Sequence, residues 1–347
     1  MQRQIAKVSL TAVLRVVLIF QFALFCGYPL SGLCQPLDFS FHKLTEEDGV
    51  PLSDEFFFFR DSKDYVWIGS DDGLFRFDGH TLIPYRQQPD QPRSLPDNRI
   101  TSRCFESSEG DLWFTTYSGL VLYSREKEEF ITYTTPLLQD SYQAFYRDNA
   151  DRLWLRIGNH PNGSLWFFDL KTHSFIQSIP LTGKACHVIA GEDGQAEYII
   201  QTELPNQPGL TVLELASGKL ESIEFLKMPN GASRRQSSPT TGLYRDAQGG
   251  LWTGIYDGLG KYTLGRPINT AIAYLDKAIQ VDSSINFVTG IVPFQDSLSL
   301  VSSYEGLFLF DHKHELFSHQ FRSDYDQPGS LPLSEVKSLT RDNASTF

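Results

Sequence analysis

Four of the five tryptophans in this chain, Trp67, Trp113, Trp154 and Trp252, sit inside one repeated phrase. It reads DSKDYVWIGSDDGLFRFD at 61–78, SSEGDLWFTTYSGLVLY at 107–123, DNADRLWLRIGNHPNGSLWFFD at 148–169 and DAQGGLWTGIYDGLGKY at 246–262. Weaker copies at 192–215 and 297–311 place Tyr198 and Leu300 at the marker position. The period averages about 46 residues, and strand-like repeats of about 40–50 residues are the signature of a β-propeller. A single repeat of this kind cannot cover both faces of its own sheet, so it must stack against its neighbours.

Each repeat reads as four short antiparallel strands, A to D, alternating apolar and polar residues between turns. Strand A precedes a turn rich in Asp, Asn, Ser and Gly (DSKD, SSEG, DNAD, DAQG), and strand B carries the Trp. A glycine turn (DDGL, YSGL, YDGL, YEGL) leads to strand C, and a polar hairpin leads to strand D. Phe56–Phe59 falls on strand A of the first repeat, where a strand covered on both faces can be apolar throughout. GVPLSDEFFFFRD at 49–61 aligns without gaps with SLPLSEVKSLTRD at 330–342, and DNASTF at 342–347 matches the residues that precede each marker. The expectation is an all-β, seven-bladed propeller over 35–347. It would have six four-stranded blades and a seventh that breaks off one residue before its Trp, as in a fragment of a longer polypeptide.

The first 34 residues differ from the rest. They hold Arg3, Lys7 and Arg15, no acid, and the apolar run VVLIFQFALFC at 16–26. That run is shorter than the roughly 20 residues that span a bilayer, and reads as a signal peptide cleaved after Cys34. The alternatives are an uncleaved anchor, or lipidation at Cys26 or Cys34. Losing this segment takes the formal net charge from −12 to −15, which argues against a nucleic-acid phosphate track. Cys104 and Cys186 then remain, two repeats apart and too distant to pair, so both read as buried thiols.

The phrase, preceded by a lead-in seen in RSLPDNRI and GSLPLSEV, resembles the two-component regulator propeller repeat. DYVWIGSDDGLFRFDG at 64–79 is close to its pattern, and the resemblance covers 41–347. The fourth repeat departs most, with Tyr198 for Trp and Thr202 at a shifted Thr position. The resemblance implies a periplasmic sensor region of a membrane histidine kinase, in which two propellers and a β-sandwich precede a membrane helix and signalling domains. It also implies a dimeric full-length parent and a glycan-derived ligand. This chain holds no kinase motif and could not signal alone.

Recurrence at one strand position makes Trp67, Trp113, Trp154, Tyr198 and Trp252 packing residues rather than a sugar platform. The Asp residues before each A–B turn lack EF-hand spacing and read as turn caps. His80, His173, His312 and His314 fall in C–D hairpins and read as solvated turn residues, so no metal site is expected. No G-x-S-x-G, Walker loop, H-E-x-x-H or C-x-x-C occurs, so neither a catalytic residue nor a cofactor is expected.

The functional signal is topological. B–C turns and D-to-A connectors emerge on one face, and the longer loops cluster there: GNHPNG at 158–163, TELPNQPG at 202–209 and KMPNGASRRQSSP at 227–239. Polar loops on a rigid scaffold are where binding concentrates. The candidate ligand-binding residues are Asn159, His160, Asn162, Glu203, Asn206, Gln207, Arg234 and Arg235 on these loops, with Tyr117, Tyr256, Asp257, Tyr304 and Glu305 on the short B–C turns. An oligosaccharide or other small ligand suits them. The rival readings are a propeller lyase or glycosidase, with a compact cluster at the channel mouth, and an interaction scaffold with an apolar face.

Overall fold

The computed structural model describes residues 46–339 with internal interruptions, among them 159–163, 205–206, 228–232, 236–242, 256–257, 264–271 and 275–287. The expected signal peptide at 1–34 and the DNASTF segment at 342–347 lie outside the described residues.

Six sheets follow one another along the chain, antiparallel except for one pair in the fifth. The first holds β1 (Phe57–Arg60), β2 (Val66–Ser70), β3 (Gly73–Phe77) and β4 (Leu82–Tyr85). The second holds β5 (Phe105–Glu106), β6 (Leu112–Thr116), β7 (Gly119–Ser124) and β8 (Glu129–Tyr133). The third comprises β9 (Tyr142–Arg147), β10 (Arg152–Ile157), β11 (Ser164–Asp169) and β12 (Ser174–Pro180). The fourth comprises β13 (Ala185–Ala190), β14 (Ala196–Leu204), β15 (Gln207–Glu214) and β16 (Leu220–Ile223). Next in the chain come β17 (Phe225–Lys227) and β18 (Ser233–Arg235). They join β19 (Leu243–Arg245), β20 (Gly250–Ile255), β21 (Gly258–Thr263) and β22 (Ile272–Tyr274) in one sheet. The last sheet holds β23 (Val288–Gln295), β24 (Leu298–Ser303), β25 (Gly306–Asp311) and β26 (Leu316–Phe321).

The all-β propeller reading holds, but the blade count does not. The described residues form five four-stranded sheets and one six-stranded sheet, with no seventh. The lead-in expected to open a seventh blade gives its Val336 N–H to the Ser303 carbonyl at 2.9 Å, as Ile100 of the second blade's lead-in does to Ser70, but no described strand follows it. The connector expected to be irregular at 227–239 contains β18, and β17 pairs in parallel with β22, which widens the fifth sheet. Strand A of the second blade is also shorter than its apolar run: only an isolated bridge, Ile100 to Thr116, precedes β5.

Apolar clusters fill the spaces between successive blades, each holding the marker Trp of the earlier one. Trp67 packs with Leu112, Phe114 and Tyr123 of the second blade, and Trp113 with Phe168 and Leu155 of the third. Trp154 meets Ile199 of the fourth, and Trp252 meets Phe308 and Phe310 of the last. Trp67 and Trp252 have no exposed surface, and truncating such a side chain costs about 3–5 kcal/mol. Leu300 is equally buried, while Tyr198 enters the ladder of β14 opposite Ile189. The phenylalanine run is covered less than expected. Phe57 and Phe59 pack on the cluster of the first two blades, but every β1 residue is only half-buried.

The A–B turn explains the conserved spacing between Asp and Trp within the chain. Asp61, Asp148 and Asp246 each direct one carboxylate oxygen at the indole N–H six residues on, at 2.6, 3.0 and 2.7 Å. The other oxygen takes turn N–H groups: Lys63 and Tyr65, Ala150 and Arg152, and Gly250. The fourth turn residue adopts positive φ, with Asp64 at 68°, Gly110 at 88°, Asp151 at 62° and Gly249 at 79°. These carboxylates therefore act as turn caps.

Replacing Asp148 with Ala leaves the Trp154 indole N–H and two amide N–H groups without their acceptor, so urea denaturation should show a loss of about 2–4 kcal/mol. A second contrast tests the glycine turns. Gly306 has φ +134° and an added Cβ would lie 2.5 Å from the Phe321 carbonyl, whereas Gly79 has φ +96° and nothing within 4 Å. Gly306→Ala should cost about 3 kcal/mol or more and Gly79→Ala about 1 kcal/mol in the same measurement.

Candidate functional site

The B–C turns are built alike in three blades. A hydroxyl at the end of strand B, from Ser70, Thr116 or Ser303, donates to the carbonyl of Gly73, Gly119 or Gly306, at 3.1, 3.4 and 3.4 Å. The same oxygen accepts the N–H of Asp72, Ser118 or Glu305. Each glycine has positive φ, and its missing Cβ makes room for the carbonyl of strand D. Two residues stand between the hydroxyl and the glycine. The first of them is Tyr117 in the second blade and Tyr304 in the last.

Tyr117 is 46% exposed and Tyr304 45%; with Ile176 they are the exposed large apolar side chains among the described residues. Tyr256 shares their repeat position in the fifth blade but, with Asp257, lies outside the described residues. A lone exposed Tyr needs no explanation, but two at one repeat position on one face form a pattern.

Tyr117 is held in a small network. The Arg99 guanidinium stacks 4.2 Å from its ring centroid, and the Tyr117 N–H donates to the Arg99 carbonyl. Arg99 makes a two-pronged bond to Asp97, at 3.2 and 3.0 Å, and Ser118 Oγ donates to the same carboxylate at 3.0 Å. Burial alone would raise the Asp97 pKa, but the bonds from Arg99 and Ser118 outweigh it and hold the carboxyl below its usual range. Asp97 in turn raises that of Arg99. The platform is locally neutral. In the last blade Glu305 stands beside Tyr304, and Gln320 Nε2 donates to its carbonyl at 3.0 Å. Sequence reasoning missed Arg99 and Asp97, although both belong to the RSLPDNRI lead-in.

The other candidates divide into two groups. Asn159, His160, Asn162 and Asn206 lie outside the described residues. Glu203 and Gln207 belong to β14 and β15 rather than to an open loop: the hairpin closes through the pair Leu204 and Gln207. At nine and eight residues these strands outrun the five-residue β2 and β3, so the fourth blade extends its strands where the sequence suggested a loop. Arg234 and Arg235 lie on β18, paired with Leu226 and Phe225.

The opposite face is tied across blades. Arg125 reaches Asp61 at 2.9 Å, Ser62 bonds Glu106, Ser108 bonds Asp151, Arg245 bonds Glu197, and Lys261 bonds Glu315 at 2.9 Å. Histidines of the C–D hairpins also sit here, and they are not uniformly solvated. His80, His173 and His314 are exposed, although His173 also packs on Trp113 and bonds the Tyr133 hydroxyl at 2.8 Å. His312 is buried among Trp252, Tyr244 and Phe310, with its Nε2 2.7 Å from Ser299 Oγ. Among the described residues no group of three potential ligands could hold a metal ion. Cys104 is a buried free thiol between the first two blades, its pKa pushed up by burial; the Cys186 side chain is not described.

The fold has solved counterparts. The extracellular domain of a protein described as a hybrid two component system from B. thetaiotaomicron matches with a TM-score of 0.65 at 16% identity, covering 88% of this chain and 39% of that one. A second such domain from that organism gives 0.59 at 19% identity, covering 88% and 38%. Both of these neighbours are extracellular domains of proteins so described. This agrees with the resemblance read from the repeated phrase. Virginiamycin B lyase from Staphylococcus aureus shares the fold too, with a TM-score of 0.53 at 13% identity over 79% of this chain and 88% of the lyase. A histidine kinase from Formosa agariphila is 34% identical over 82 residues, 24% of this chain and 6% of that protein. No family model matches the chain. The chain spans well under half the length of the two-component proteins it matches.

Burial lowers the His312 pKa from 6.5 to about 4, against the pull of Asp246 and Asp311 and with that of Lys261. Above pH 6.5 the ring is neutral folded or unfolded. Between 6.5 and 4 the unfolded chain binds a proton that the folded chain refuses, so stability falls as pH drops. The third blade carries buried Leu170 at this register. His312→Leu should reduce the fall in melting temperature across that window, as read by thermal denaturation at stepped pH.

Proposed function

We propose that this chain is the ligand-sensing propeller of a longer two-component sensor, exported to the periplasm and without enzymatic activity of its own. The observation that carries the reading is the pair of exposed tyrosines, Tyr117 and Tyr304, at one repeat position of a face whose turns are closed by the same hydroxyl–glycine bond. Extracellular two-component domains among the structural neighbours support it. The face takes a glycan-derived ligand: a tyrosine ring offers an apolar face and a hydroxyl to a sugar, and the neutral Asp97–Arg99 pair adds hydrogen-bonding groups.

Signal transfer follows from linkage. Ligand on the loop face alters how the propeller docks on the next parts of the parent, a second propeller and a β-sandwich. It biases two states of a dimer only if it binds them with different affinity.

The test uses calorimetric titration of a panel of neutral and acidic oligosaccharides. The double variant Tyr117→Ala, Tyr304→Ala should bind the best of them at least tenfold more weakly while its melting temperature stays within about 2 °C, since both rings are surface groups. Unchanged affinity in the variant would remove the loop face as the site. Conversion of any sugar to product would favour the lyase or glycosidase reading.

A further inference from the structure

The RSLPDNRI lead-in sets Asp97 two residues before Arg99, and that spacing closes a turn beside the B–C tip of the second blade. Asp97 Oδ1 accepts the Arg99 N–H at 2.9 Å, an Asx turn that fixes the carboxylate. The guanidinium folds back onto it through Nε at 3.2 Å and Nη2 at 3.0 Å, and Ser118 Oγ donates to Oδ2 at 3.0 Å. Both carboxylate oxygens are thus engaged from within the protein, and the Asp97 side chain is 14% exposed against 57% for Arg99. Asp97 has little to offer a ligand directly; its effect is on the arginine.

What faces outward is mixed. The Tyr117 ring is covered on one face by the Arg99 guanidinium, 4.2 Å from its centroid, and is otherwise open. Arg99 Nη1 makes no bond among the described residues and keeps its donors. Ser118 Oγ gives its hydrogen to Asp97 and is left an acceptor. The first blade repeats the plan: Arg86 lies 5.3 Å from the Phe75 ring centroid, and its Nη2 bonds Asp72 at 2.7 Å. In both blades a stacked arginine has its charge matched by a carboxylate beside it. Asp71 and Glu305 add negative charge at the tips of the first and last blades, on a chain of formal net charge −12.

On the reading that the tyrosine face binds sugar, we infer that this tip is a subsite for an uncharged sugar and that Asp97 is its specificity-determining residue. The C–H face of the sugar ring lies on Tyr117, one hydroxyl accepts from Arg99 Nη1, and another donates to Ser118 Oγ. A hydroxyl oxygen takes the arginine's donors without bringing charge. A ligand carboxylate would have to share the guanidinium with Asp97, and the two like charges repel. Asp97 therefore acts as a built-in repulsive element against acids, one of the two ways in which specificity is made. It touches no ligand atom, and it also holds Arg99 against the Tyr117 ring.

The experiment titrates the full chain by calorimetry, at fixed ionic strength, with tetrasaccharides matched but for their carboxylates: galactotetraose with tetragalacturonate, mannotetraose with tetramannuronate, and cellotetraose with its uronic-acid counterpart. In the pair that binds best, the neutral member should bind at least tenfold more tightly than the acidic one. Asp97→Asn should reverse that order, since it frees the charge of Arg99. Glu315→Gln removes one negative charge from the opposite face, where Glu315 holds Lys261, and should leave the ratio unchanged. Should Asp97→Asn fail to fold, Arg99→Gln leaves the carboxylate without its partner, and should weaken the neutral member severalfold while the acidic one still fails to bind. Tighter binding of the acidic member to the unaltered chain, lost in Tyr117→Ala, overturns the uncharged class and leaves the tyrosine face standing. A neutral preference that neither Asp97→Asn nor Arg99→Gln alters overturns the role of Asp97. If Tyr117→Ala binds as the unaltered chain does, or no pair binds, the tyrosine face itself falls and the subsite with it.

Discussion

The bond from an aspartate carboxylate to the indole six residues downstream organises the rest of the structure. It fixes three things at once in each of the three blades that show it. One oxygen satisfies turn amides that would otherwise be buried without partners. The other satisfies the single donor of a large side chain, so that the ring can be wholly dehydrated. With its polar atom committed at one end, the indole packs its ring against the following blade. Inter-blade packing is built on that contact.

The two ends then serve different purposes. On the A–B side, cross-blade pairs such as Arg125 with Asp61 and Lys261 with Glu315 brace neighbours against each other. On the B–C side the hydroxyl–glycine turns hold each tip within its own blade, which leaves the outward residues free to vary: Asp71, Tyr117 and Tyr304 occupy one geometrical position. A scaffold of this kind changes its binding surface without touching its core.

Much of this was legible in the residues alone. The alternating strands, the capping aspartates and the inward Trp positions all follow from short-range rules of turn chemistry and periodicity, and they recur, which averages out local noise. What escaped was non-local. The fourth blade's polar turn zips into a ribbon because Leu204 and Gln207 pair across it, which composition cannot reveal. The segment around Arg234 forms a strand because β22 offers it an edge through β17. The blade count failed because a motif match at 330–342 shows resemblance to a lead-in, not that a sheet forms after it. His312 read as a turn residue because its hairpin is polar, yet its neighbours Trp252 and Tyr244 come from another blade. Arg99 was invisible for the same reason: an arginine's role depends on whether a carboxylate stands beside it.

Because each marker indole is dehydrated by the blade that follows, burial is passed along the ring in one direction. A blade supplies the lid for its predecessor and relies on its successor for its own. Every interior repeat is therefore half of two different cores, and excising one would juxtapose an indole with a wall that was shaped for another.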